Sequence, residues 1–259
     1  MLAGTLLVSA CTTEDDAAGE SFVPRTPGAL TVATAFLPAP GFWQGDPPTS
    51  GGFEAGLARA LAKRLGLKRV QVVQVPFADI TRGRLRGADI ALSQLTPTEE
   101  RDKVLDFSDP YLESPPGVLA LTSVQGSDVK DLKALHWVAS RLSTLTPVLD
   151  QEIRPDDPPL VVDDRTQALQ VLDAGRAEAL LLDLPVALGL ARAYPDRYHV
   201  LGQISSEHDL AAALPNDSPN REIVSSAIRH LQADGTVDDL VSRWLGESEE
   251  DVPLILTDP

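Results

Sequence analysis

The residues best suited to chemistry lie between positions 93 and 111. Ser93-Gln94-Leu95-Thr96-Pro97-Thr98-Glu99-Glu100-Arg101 is followed by Phe107-Ser108-Asp109-Pro110-Tyr111. An apolar run at 88–92 feeds small hydroxyl residues, and these open a helical turn carrying one arginine. Unpaired backbone N–H groups at such a turn, with a guanidinium one turn further on, form a receptor for a carboxylate. A second charged candidate is Asp183, which ends the apolar run Ala179-Leu180-Leu181-Leu182. It stands at the carboxyl end of an apolar strand, where ligands of parallel sheets bind. Asp183 also stands before Leu184-Pro185, so an ordinary helix N-cap is the competing role.

The elements that must position these groups follow a repeated strand–helix pattern. Strands are expected at 29–35, 70–75 and 88–92, with helices at 53–65 and 79–85. Apolar spacing at Leu57, Leu61 and Leu65 supports the first helix, which stops at Gly66. This order predicts a parallel sheet covered by helices, whose ligands bind beyond the carboxyl ends of the strands. A strand at 117–122 leads to a second unit, with strands at 136–139, 160–162, 179–182 and 199–201 and helices at 146–152, 166–174 and 185–194. A strand at 209–214 and helices at 220–233 and 237–245 close the chain. Residues 38–52 are rich in Pro and Gly and read as a loop, yet they hold Phe42 and Trp43.

Composition removes several functions. The 259 residues carry 38 acids against 22 bases, a formal charge of −16, which leaves no basic face for nucleic acid. The single cysteine, Cys11, allows no internal disulfide. The four histidines have no paired ligand spacing, so no metal and no cofactor is expected. The apolar run at 2–10 is too short to span a bilayer and suits a signal peptide. The small-residue pair Ser9-Ala10 before Cys11 resembles a bacterial lipobox, which implies cleavage after residue 10 and a lipid on Cys11. Residues 11–28 then read as a flexible tether.

The 93–111 segment closely resembles the T-x-x-x-R … F-S-x-P-Y stretch of the bacterial extracellular solute-binding proteins of family 3, which serve polar amino acid uptake. Further landmarks are Gly52-Phe53-Glu54, Gly175-Arg176-Ala177-Glu178-Ala179 with Asp183, and Ala233-Asp234-Gly235-Thr236 with Trp244-Leu245-Gly246. The resemblance covers roughly residues 29–246. It implies an α/β, two-lobed periplasmic-binding-protein-like (type II) fold with two crossing hinge strands. Lobe 1 would be 27–119 plus 215–247, lobe 2 would be 123–209, the hinges would lie near 120–123 and 210–214, and 248–259 would be a C-terminal tail.

The same resemblance places Arg101 and Thr96 on the ligand carboxylate, Asp183 on its ammonium, and Phe77 against its side chain. Ser143 and Thr144 would add hydroxyls, although Leu142 stands where the family has glycine. Gln94 lies in the opening motif, and Phe36, Phe42 or Trp43 would replace an absent aromatic lid. Glu54 is expected to serve as a helix cap. The implied protein is a monomer anchored to the membrane through Cys11, closing on a small zwitterion and docking on an ABC permease with its ATPase. Three other readings stay open: a tethered sensor, a degenerate orphan, and an enzyme related to cyclohexadienyl dehydratases.

Overall fold

The computed structural model describes residues 21–206, 208–246 and 252–257. The leader at 1–10, Cys11 and tether residues 11–20 lie outside the described residues. Within the described chain, strand β1 (Ala29–Thr34) is buried along its whole length, as its unbroken apolar and β-branched run requires. It pairs in parallel with β2 (Arg69–Gln74) and β3 (Ile90–Ala91). Helix α1 (Phe53–Arg64) crosses between β1 and β2, with Leu57 and Leu61 fully buried. Each such leucine stabilises the fold by about 1.5–3 kcal/mol. Its N-cap, Gly52, has φ of 106°, and a Cβ there would lie 2.2 Å from the Phe42 carbonyl oxygen, so only glycine fits the turn.

The chain then runs through a short helix α2 (Phe77–Ile80), a 3-10 turn at Arg101–Lys103 and the long strand β4 (Leu105–Glu113). Strand β5 (Pro116–Leu121) begins the second lobe. There, helix α3 (Val129–Lys133) precedes β6 (Trp137–Ser140), and α4 (Leu145–Val148) continues into a π turn, Leu149–Ile153. Next come β7 (Leu160–Val162), α5 (Arg165–Asp173), β8 (Ala179–Asp183), α6 (Leu184–Ala193) and β9 (Tyr198–Ile204). Strand β10 (Asp209–Pro215) and helices α7 (Arg221–Ala233) and α8 (Thr236–Trp244) return to the first lobe, and β11 (Leu254–Ile255) ends the described chain.

The strand orders are β2-β1-β3-β10-β4 in one sheet and β11-β9-β5-β8-β6-β7 in the other. This places β5 wholly in the second lobe and β10 wholly in the first. The crossings therefore fall between β4 and β5 and between β9 and β10, several residues earlier than the expected 120–123 and 210–214. The reason is pairing: β5 forms antiparallel ladders with β8 and β9, and β10 with β4. The Ser114 N–H donates to the His208 carbonyl at 2.8 Å, so the two crossing segments stay tied where they leave one sheet for the other.

Two further boundaries differ from expectation. Residues 21–28 pack on lobe 1 instead of trailing free. Phe22 is buried, the Val23 N–H donates to Asn220 Oδ1 at 3.0 Å and the Arg25 N–H donates to Asp89 at 2.7 Å. At the other end, β11 lies parallel to β9 in the second sheet. Gly202 makes room for it, because a Cβ there would sit 2.6 Å from the Ile255 side chain.

Candidate functional site

The carboxyl ends of β3, β6, β7 and β8 all open on the cleft between the lobes, and the parallel pairing of β6 with β7 and β8 brings three of them together. From lobe 1, Leu37, Phe77, Gln94, Thr96 and Arg101 line a cavity of about 50 Å³. From lobe 2 come the 140–145 turn, Asp163-Asp164-Arg165 and Leu182-Asp183.

On the lobe 1 side the wall is held from behind by Glu54, which is fully buried. One carboxylate oxygen accepts from the Gln94 N–H at 2.8 Å and the Tyr111 hydroxyl at 2.6 Å; the other accepts from Trp43 Nε1 and Gln94 Nε2, both at 2.6 Å. Gln94 sits at φ 48°, a strained conformation that these bonds enforce. Burial pushes the Glu54 carboxyl above its ordinary value, and the four donors oppose that. Three of the four, the Gln94 N–H, Gln94 Nε2 and Trp43 Nε1, can only donate, so the bonding pattern favours the carboxylate. We expect Glu54→Gln, which turns an amide group toward two donors, to destabilise the fold by about 2–4 kcal/mol in urea unfolding. A change within experimental error would show that the hub is not structural.

Arg101 is buried at the start of its 3-10 turn. Its Nη1 donates to the Thr96 carbonyl at 2.7 Å, and its Nη2 crosses the cleft to the Leu142 carbonyl at 3.1 Å. The ring of Phe77 lies 5.7 Å from the guanidinium carbon, within cation–π range. Burial pulls the arginine down to about 10, and Asp183 opposes the shift. The Arg101 N–H is itself capped by the Thr98 hydroxyl at 3.2 Å, so the receptor here is the guanidinium and not a helix terminus.

Asp183, at the end of β8, is 8% exposed. It occupies the N-cap position of α6 but its side chain caps nothing. No side chain among the described residues hydrogen-bonds or ion-pairs with its carboxylate, which accepts only from its own backbone N–H. Desolvation raises its pKa, and the attraction of Arg165, His208 and Arg101 only partly offsets this. A buried carboxylate without a charged partner in contact is costly, and this one faces the cavity.

The structure thus brings Arg101, Thr96, Asp183, Phe77, Gln94, Ser143 and Thr144 around one cavity. Within this set, the Ser143 hydroxyl accepts the Leu145 N–H at 3.2 Å and so closes a turn. Leu142, in the family's glycine position, contributes its backbone carbonyl. Phe36 and Trp43 are not brought into the cavity. Phe36 stacks edge-on against Trp43 at 5.9 Å, and Trp43 is turned inward to Glu54. Glu54 is a buried anchor and not the expected helix cap.

Arg165 was not legible as a site residue. It is 8% exposed and reaches from lobe 2 to the Pro38 carbonyl at 3.2 Å and Gln94 Oε1 at 3.4 Å. The available signal was a cation at the first position of a helix, which opposes the helix dipole.

Two lobes joined by paired crossing segments, with opposed buried charges on the cleft walls, define a two-lobed ligand-trapping protein of the type II periplasmic-binding class. The chain belongs to the bacterial extracellular solute-binding proteins, family 3, whose model matches residues 31–247. It is 30% identical over 228 residues to the L-cystine-binding protein TcyJ of Escherichia coli K12, covering 85% of this chain and 83% of that one. It is 27% identical to the arginine-binding extracellular protein ArtP of Bacillus subtilis, covering 74% and 77%. Among solved structures, an ancestral arginine-binding protein bound to glutamine superposes with a TM-score of 0.72 at 28% identity, covering 86% of this chain and 100% of that one.

Proposed function

We propose that this protein captures a small amino acid zwitterion between its lobes and delivers it to an ABC permease driven by an ATPase. The observation that carries this reading is the Asp183 carboxylate, buried with no side-chain partner among the described residues and facing a cavity that also holds the Arg101 guanidinium. Arg101 takes the ligand carboxylate in place of its bond to Leu142, with Thr96 beside it, and Asp183 takes the ammonium. A ligand that bridges the two walls makes its full set of contacts only when the lobes are together. That differential affinity draws the equilibrium shut and creates one composite outer face for the permease. The cystine-, arginine- and glutamine-binding relatives support an amino acid as the ligand class.

On this reading the protein works as a monomer held at the cell surface through a lipid on Cys11. Binding takes precedence over catalysis, because Glu54 lies behind Gln94 with both oxygens engaged and Glu99 and Glu100 are exposed. The test is thermal unfolding of the mature protein against the standard amino acids and L-cystine. A true ligand at a hundred times its dissociation constant stabilises the fold by about 2.7 kcal/mol, a rise in midpoint of roughly 5–10 °C for a chain of this size. Absence of any shift, with no heat in calorimetry, overturns the proposal.

A further inference from the structure

A second guanidinium faces the cavity, and the zwitterion reading gives it nothing to do. We propose that Arg165 selects a ligand whose side chain ends in a second carboxylate, so that the preferred ligand is a short acidic amino acid. The inference rests on the reading of the cleft as an amino acid site and names the class of ligand.

Three observations support it. First, Arg165 is more than nine-tenths buried, yet its two hydrogen bonds both leave from one nitrogen, Nη1, and both are long, at 3.2 and 3.4 Å. Its Nη2 and Nε have no acceptor among the described residues, although a guanidinium carries five N–H donors. Neither nitrogen is among the fully buried atoms left without a partner, so both keep solvent contact where Arg165 borders the cavity and stand open to an acceptor. Second, the neighbouring acids do not complete it. Asp164 accepts the Gln167 N–H on one oxygen at 2.9 Å, capping α5, and attracts Arg165 only from beyond ion-pair distance. Asp163 faces solvent beside Arg141 at 3.6 Å. Glu54 is saturated by its four donors. Asp183 attracts Arg165 from beyond ion-pair distance. Third, position matters. Arg165 opens α5, where the positive end of the helix dipole disfavours a cation and favours an anion. A carboxylate lodged against Arg165 relieves that conflict and takes two parallel N–H bonds.

The charges on the walls then divide cleanly. Arg101 holds the α-carboxylate, Asp183 the ammonium and Arg165 the distal acid. An amide side chain offers Arg165 one neutral oxygen and brings an NH₂ group that its N–H donors cannot bond, whereas a cationic side chain is repelled.

Calorimetry with L-glutamate and L-aspartate against L-glutamine and L-asparagine tests this, on the wild-type protein and on Arg165→Gln and Arg165→Lys. The expected result is an acid-over-amide preference of about tenfold to hundredfold, the value of charge-assisted over neutral hydrogen bonding. In Arg165→Gln that ratio collapses to within about twofold. Arg165→Lys keeps the sign of the preference while losing part of its size. A merely structural clasp to Pro38 would weaken all four ligands alike and leave the ratio intact. The inference is overturned if the amides bind as well as the acids, if the preference survives Arg165→Gln, or if neither pair binds while another amino acid does. In each of these cases the wider proposal stands. Silence toward every amino acid overturns both.

Discussion

Arg101→Ala loses binding by about a hundredfold to several thousandfold, the 3–5 kcal/mol expected when one partner of a buried charge pair is removed. The loss is this large because the groups nearest the guanidinium cannot replace it. Thr96 already gives its carbonyl to Arg101, and Leu142 offers only a carbonyl to the cleft. Both carbonyls would repel a ligand carboxylate once the arginine is gone. The same substitution also cuts the direct bond from Arg101 to the second lobe. Calorimetry against the best ligand of the panel reads the first effect. Small-angle scattering without ligand reads the second, as a shift toward more open lobes. Binding within a few-fold of wild type would remove Arg101 from the site.

Asp183→Asn separates function from stability. The ligand loses its ammonium partner, with an expected loss of about a hundredfold. The unliganded protein, in contrast, becomes more stable at neutral pH, because burial of the charge outweighs the attraction of Arg165, His208 and Arg101. A gain of about 1 kcal/mol raises the midpoint by roughly 2–4 °C. The pH dependence has a definite sign. The ordinary value of this carboxyl is 3.8 and its folded value lies higher. Between those values the folded protein holds more protons than the unfolded chain. Stability therefore falls as pH rises from near 3.8 through the folded value, and the penalty is complete above it. Asp183→Asn flattens this fall. Glu54, also raised by burial, keeps part of the slope in the variant. Urea midpoints measured from acid to neutral pH decide the matter. A variant less stable than wild type at neutral pH would mean that Asp183 is compensated within the protein.

The arginine of the opening motif and the aspartate at the end of β8 were legible because each follows an apolar strand, and strand ends in parallel sheets converge on one edge. Many strand and helix positions were likewise carried by apolar periodicity, but β4 (Leu105–Glu113) and α3 (Val129–Lys133) were not expected, and the helix expected at 79–85 is the shorter α2 (Phe77–Ile80). Which sheet a strand joins is not carried that way. β5 reads as an apolar run in either lobe, and only its ladders with β8 and β9 assign it to the second, which is why the crossings fall earlier than expected. Aromatics in the 38–52 loop suggested a lid, but Phe42 is in the core and Trp43 is drawn inward by Glu54. Glu54 looked like a helix cap since its partners, Gln94 and Tyr111, lie 40 and 57 residues away. Arg165 follows two aspartates at a helix start, a setting in which an arginine ordinarily faces solvent. Its burial depends on Pro38 and Gln94 of the other lobe.

The most direct measurement compares an amino acid with its deaminated analogue on the wild-type protein and on Asp183→Asn, as a four-way cycle in calorimetry. The wild type is expected to bind the analogue about a hundredfold more weakly, while Asp183→Asn scarcely distinguishes the two. If the wild type binds both equally well, the carboxylate on the far wall does not hold an ammonium, and the proposed capture of a zwitterion is contradicted.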